Sequence, residues 1–348
     1  MEKREFSAVT KAGYDLAQKA GELGASSTFL TSDLSGAIFP KSEIFLSDRL
    51  LSNCQQYLRS MVGEIESALC LKATEDLNIA HASLTEIGNS GSVYSYDSLS
   101  TAGLLTNEDL LKHVFVQAQK AELTNRVLQK ISQEELENGL AKHLDNDDKP
   151  VAEAAMALLV SRNRTGFQLG QITCRLTDVP AETFHNLVWS VAAAVRKISG
   201  YEEPVFLDAA QMLLDEHDES QSIDNRARRL AGLLDHGEEK GTIPHPISDG
   251  LDLFVARIAL RAGLSLEQII IFTAEPNMAR MAVVMRALAI PNDEAISIFT
   301  ALDGNGNLLT SASYNEISRE QAVAMTGNWS SQTAFLAAEL ALSFGADG

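Results

Sequence analysis

Residues Arg261 to Pro276 read RAGLSLEQIIIFTAEP, and residues Arg286 to Asp303 read RALAIPNDEAISIFTALD. Both stretches open on Arg-Ala, pass a helix-start signal (Ser265 in one, Pro291 in the other) and close on Ile-Phe-Thr-Ala at Ile271–Ala274 and Ile298–Ala301. Upstream, Leu251, Phe254, Val255, Ile258, Ala259 and Ala262 recur at the three- and four-residue steps of one helix face. Gly263 sits where a left-handed C-terminal cap belongs. Ser265 and Gln268 have capping-box spacing. Met278, Met281, Ala282, Met285, Leu288 and Ala289 form a second stripe before Pro291 opens a further helix. The repeated unit is thus helix end, turn, helix start. A helix with one apolar stripe leaves it in water unless a neighbour covers it, which is the logic of a helical solenoid. The echo reads as scaffold rather than site, and Ile-Ile-Ile-Phe at 269–272 reads as buried helix rather than strand.

The rest of the chain follows the same pattern. Leu46, Leu50, Leu51, Cys54, Tyr57, Leu58, Met61, Val62, Ile65 and Leu69 predict a long amphipathic helix over 47–72. Thr106 with Asp109, Ser132 with Glu135, and Ser318 with Gln321 are further start signals, and Pro150 and Pro180 stand where a first-turn proline is tolerated. Trp189 is placed in the core with Phe184, Leu187, Val188, Val191 and Val195. Residues 214–222, LDEHDESQS, lack apolar periodicity and mark the expected boundary between two helical parts. The expected organisation is residues 1–45 as a helix and loop, 46–215 as one helical array, and 222–348 as a second.

Composition narrows the function. Charged residues make up 22%, and 28 Lys and Arg against 47 Asp and Glu give a net charge of −19. Nucleic acids and anionic membranes bind through basic surfaces, so neither is an expected partner. Cys54, Cys70 and Cys174 make no CxxC pair, and an odd, sparse set suits thiols in a reducing compartment. No signal-peptide core and no transmembrane-length apolar run is present, so a cytoplasmic location is expected.

Several strings resemble a known family. LSDRLLSNCQQYLRSMVGEIESALCLKA (46–73), AGLLTNEDLL (102–111), DNDDKPVAEAAMALLVSR (145–162), PAETFHNLVWSVAAAVR (180–196) and DGLDLFVARIALRAGLSLEQI (249–269) resemble segments of a bacterial, mainly alphaproteobacterial, family labelled domain of unknown function 2336. The likeness runs in order along most of residues 46–302. It implies an all-α, HEAT-like helical array and implies no activity.

Chemistry-bearing patterns are sparse. Asp303–Asn307, DGNGN, begins like a calcium loop, but that loop needs glycine at its sixth position and glutamate at its twelfth, where Leu308 and Tyr314 stand. It reads as a plain turn. None of the seven histidines has zinc-site spacing, and no nucleophile elbow, phosphate loop or dinucleotide motif occurs. No metal, cofactor or catalytic residue is therefore expected. Two features remain as candidate partner-binding residues. Arg226, Arg228 and Arg229 open a helix in an acidic chain, where they clamp an anion or a partner's carboxylates, or else pair with Asp215, Glu216, Asp218 and Glu219. Trp329 is either an exposed anchor or a capping contact. The expected function is a non-enzymatic protein-interaction scaffold, binding another protein or itself. The alternative is a regulatory module that binds a small anion between the two helical parts.

Overall fold

The computed structural model describes residues 48–75, 93–130, 139–164, 172–200, 203–236, 241–275, 278–303 and 311–330. Among these residues 79% are helical and none is in a strand, so the fold is an all-α helical array. The start signal at Ser132, the turn residues 304–307 and the helix expected before residue 45 lie outside the described residues.

The helices are α1 (Asp48–Glu75), α2 (Tyr96–Thr101), α3 (Glu108–Leu128), α4 (Lys149–Arg164), α5 (Ala181–Ser199), α6 (Glu203–Glu216), α7 (Ile223–His236), α8 (Leu251–Ala262), α9 (Leu266–Ala274), α10 (Ala279–Ala287), α11 (Asn292–Leu302), α12 (Ser311–Glu316) and α13 (residues 319–330). They fall into two compact units. One takes described residues up to 122 together with 157–226, and the other takes 123–156 together with 227–330. Each unit is built from separate stretches of chain, and the division falls inside α3, α4 and α7 rather than at a linker.

In the α1 unit, α1 packs on α2, α5 and α6, and α5 packs on α6. Cys54, Leu58, Met61, Val62, Ile65 and Leu69 of α1 are all fully buried, as their spacing predicts. The leucine, methionine, valine and isoleucine side chains each contribute about 2 kcal/mol of transfer free energy. Within this apolar stripe Glu66 is also buried. Its carboxylate accepts from the Tyr94 and Ser95 amides at 3.0 and 2.8 Å and from the Ser95 hydroxyl, satisfying N–H groups at the start of α2. For α3 the cap is Asn107, whose Oδ1 accepts from the Leu110 amide at 3.1 Å. Thr106, expected in that role, donates instead to the Gly103 carbonyl.

The acidic stretch 214–222 is held inside the α1 unit. Glu216 pairs with Lys72, Asp218 accepts from the Ser220 amide, and Glu219 accepts from the Ala181 amide. A short 3-10 turn, Glu219–Gln221, then leads into α7, whose first amide, on Ile223, donates to Asp178.

In the α8 unit, α8 packs on α9, α9 on α10, and α11 on α12. The sequence echo is two copies of one backbone turn. After α8, Gly263 is left-handed (φ 66°) and the Leu264 amide donates to the Ala259 carbonyl; after α10, Ala289 is left-handed (φ 58°) and the Ile290 amide donates to the Met285 carbonyl. The six-to-one bond is that of a Schellman ending. Beyond the first turn the Ser265–Gln268 capping box forms in both directions, at 3.1 and 2.9 Å.

Gly263 suits its turn, but Ala289 carries a Cβ in a conformation that disfavours one. We expect Ala289→Gly to raise stability by about 0.5–1 kcal/mol, since relief of strain exceeds the added unfolded-state freedom. Gly263→Ala should cost about 1 kcal/mol from strain alone, because its Cβ would meet nothing nearer than the Ser330 hydroxyl at 3.8 Å. Urea unfolding of both variants reads opposite shifts in midpoint; shifts of the same sign would break the equivalence of the two turns.

Candidate functional site

Arg257 stands in the middle of α8, where every residue from Leu253 to Ala259 is buried. An arginine tolerates this only if its charge and donors are matched. Its side chain is 1% exposed and faces Asp235 near the end of α7 and Asp249 just before α8, which are 8% and 3% exposed. Nε and Nη2 donate to Asp235 Oδ1 at 3.2 and 3.1 Å, Nη2 donates to the Thr242 hydroxyl at 2.7 Å, and Nη1 lies 3.5 Å from Asp249 Oδ2. Arg261, one helical turn on, makes a two-point contact with Asp235 at 2.9 and 2.7 Å and donates to the Thr242 carbonyl. Lys142 reaches Asp249 at 3.1 Å. Five side chains thereby tie together α7, the 241–250 loop and α8.

Beside this cluster lies an open cleft of about 510 Å³. Asp235, Gly241, Ile243 and Arg261 form part of its lining, and the turn Leu288–Ala289–Ile290–Pro291 forms the rest. Among the described lining residues Arg261 and Asp235 are the charged pair, and they are bonded to each other.

His245 sits on the same loop. Its Nδ1 accepts from the Ile247 amide at 3.2 Å, which places its proton on Nε2, donating to the Ser297 hydroxyl at 3.0 Å. Its backbone amide lies 3.3 Å from Asp249 Oδ2. Burial lowers its pKa from 6.5, and the carboxylates of Glu294 and Asp249 oppose that shift without cancelling it. Protonation would also cost Nδ1 its acceptor role. The unfolded chain therefore binds the proton more readily, and stability from this group is complete above pH 6.5 and is lost as pH falls through the depressed folded value. We expect the parent to lose unfolding temperature across that window relative to a His245→Gln variant. A parallel pH dependence of the two proteins would contradict it.

The residues expected as partner contacts separate. Arg226 turns inward: Nη1 donates to the Ala157 carbonyl at 2.8 Å and to the Ser161 hydroxyl, both on α4. It pairs with none of the acidic residues before it. Arg228 and Arg229 are exposed on α7, whose opposite face buries Ala227, Leu230, Ala231 and Leu234. Trp329 is 7% exposed, with its ring edge-to-face against Phe272 at 5.3 Å, and its carbonyl accepts from Gln268. It is a packing contact on the α9 capping box and not an exposed anchor.

Trp189 moves the other way. Consecutive residues turn by about 100°, so the residue immediately after Val188 and two after Leu187 points away from their buried face. Trp189 is half-buried on the solvent side of α5.

The three cysteines are buried, and burial pushes each thiol up to about 12. At neutral pH none supplies a thiolate. Among the described residues no group of three His, Cys, Asp or Glu side chains is placed to hold a metal ion, and no helix is long and apolar enough to cross a membrane. No protein-family model, curated protein or solved structure matches the chain.

Proposed function

We propose that the chain is a non-enzymatic scaffold that docks another protein, in a cytoplasmic setting, through charged outer faces of its helices. The observation that carries this reading is the exposure of Arg228 and Arg229, side by side on a helix whose inner face is packed, in a chain of net charge −19. Exposed arginines of this kind cost little to keep, steer an oppositely charged surface and form two-point contacts with carboxylates. Among the described residues, the buried ionisable groups Glu66, Arg257, Asp235 and Asp249 are engaged internally, Glu66 with α2 and Arg257 with the two aspartates. The ordered resemblance to the family labelled domain of unknown function 2336 supports a HEAT-like array, and the strings that carry it are packing patterns rather than a catalytic motif.

The test is Arg228→Ala together with Arg229→Ala, leaving Arg226 in place because it is bonded to α4. The unfolding temperature should stay unchanged, because exposed charges contribute little to stability. Recovery of bound protein from the native host should fall relative to the parent. Undiminished recovery, or a lower melting temperature with normal recovery, would overturn the assignment of this face.

A further inference from the structure

The solvent face of α5 carries a second, independent feature. Glu182, His185, Trp189, Ala193 and Arg196 follow one another at steps of three and four residues and share one side of the helix. Leu187, Val188, Val191 and Val195 are buried on the other side, against α1 and α6. Trp189 is therefore not needed to fill the core. Its indole N–H donates to His185 Nε2 at 3.2 Å, and the two rings meet edge-to-face at 6.2 Å and 71°. This bond satisfies the only polar group on the indole and holds the ring in place before any partner arrives. Ala193, one turn further on, is exposed and carries only a methyl group. Arg196 and Lys197 close that end of the patch, both exposed.

We propose that this face docks a short acidic segment of another protein, with an apolar side chain seated beside Trp189 over Ala193 and carboxylates on Arg196 and Lys197. A held tryptophan with a small neighbour and flanking cations is what an interface anchor requires: apolar area at low entropic cost, and charge that selects the approach. Charge complementarity points to a short acidic segment rather than a second copy. A segment brings few charges to two local cations, whereas a second copy brings a full −19 against −19. The surface lies on a different helix from Arg228 and Arg229. It deepens the scaffold reading by naming a partner chemistry, and it can fail independently of that face.

The probe is a synthetic amphipathic helix with one leucine flanked by glutamates, with the lysine version of the same peptide as control, titrated into the full chain. Saturable binding of the glutamate peptide is expected, read by tryptophan emission. Raised salt should weaken it, and Arg196→Glu with Lys197→Glu should weaken it about tenfold or more. Trp189→Ala should weaken it about thirtyfold, read by anisotropy of a labelled peptide, while Trp189→Phe retains part of the affinity. An unchanged circular-dichroism spectrum and melt in each variant separates lost binding from lost folding. The Arg228→Ala, Arg229→Ala protein should bind the peptide as the parent does. The proposal is overturned by equal binding of the lysine peptide, by no saturable binding of the glutamate peptide, by binding that survives Trp189→Ala, or by concentration-dependent dimerisation of the parent that Trp189→Ala abolishes. The last result would make a second copy the occupant.

Discussion

Arg257→Met is expected to cost about 3 kcal/mol of stability. The guanidinium is 1% exposed and sits against two carboxylates that are themselves almost fully buried. Removing one member of a buried ionic group leaves desolvated charge behind, which is far more costly than the net contribution of the intact group. Arg261 still holds Asp235 and Lys142 still reaches Asp249, which keeps the figure at the lower end of the usual range. Asp249 is the more exposed to the loss, because Lys142 approaches it from a side that is half open to solvent. Adding Asp249→Asn to the methionine variant should therefore restore part of the lost stability, since it removes the stranded charge while keeping the shape. Urea unfolding of the single and double variants decides this. A double variant less stable than the single would show that Asp249 is held by the loop rather than by Arg257.

Gly139→Ala is expected to cost about 3 kcal/mol as well, against the sign that helix propensity implies. Residues 139–141 are helical, and in a helix alanine is better than glycine by about 1 kcal/mol. A Cβ at Gly139 would lie 2.0 Å from the Ser248 carbonyl oxygen and 2.9 Å from its carbon. Both are backbone atoms, so relief requires moving the chain rather than turning a side chain. Forced overpacking of this kind costs about 1–3 kcal/mol and at times more. The displaced segment also carries Asp249, which couples the two predictions. Gly232→Ala in α7 is the control, because its Cβ would meet nothing within 4 Å. That change should stabilise by about 1 kcal/mol. If both alanine variants shift the unfolding midpoint the same way, the close approach of Gly139 to Ser248 is not a packing constraint.

Trp189 and Arg257 differ in how far the local pattern reveals their surroundings. Arg257 interrupts the apolar run Leu253–Leu260, where it is the single charged residue, and a cation within such a run requires a buried partner. Its partners are not legible, since Asp235 precedes it by 22 residues and Asp249 by 8, with a loop in the interval. Trp189 was placed in the core by its apolar neighbours, yet its helical phase alone, one step beyond Val188, already assigned it to the outside.

Sequence alone determined what depends on residues within about four positions of one another. The stripe of α1, the left-handed ending at Gly263, the Ser265–Gln268 box and the burial of Ile269, Ile270 and Phe272 are all local, because a helix brings i, i+3 and i+4 together whatever the rest of the chain does, whereas α8 and α10 are buried all round over Leu253–Ala259 and Ala279–Met285 and Ala289 of the second stripe is exposed. It also determined the all-α class, for the same reason. Tertiary structure decided which donors and charges met. It turned Arg226 inward to the Ala157 carbonyl while leaving Arg228 and Arg229 outside, buried Trp329 against Phe272, aimed Glu66 at the start of α2, and set Gly139 against Ser248. Each of these pairs groups distant in the chain, and their meeting depends on how whole helices pack, which no local rule specifies. The left-handed Ala289 lies between the two cases: its turn is written in the echo, but only packing holds an alanine in a conformation that suits glycine.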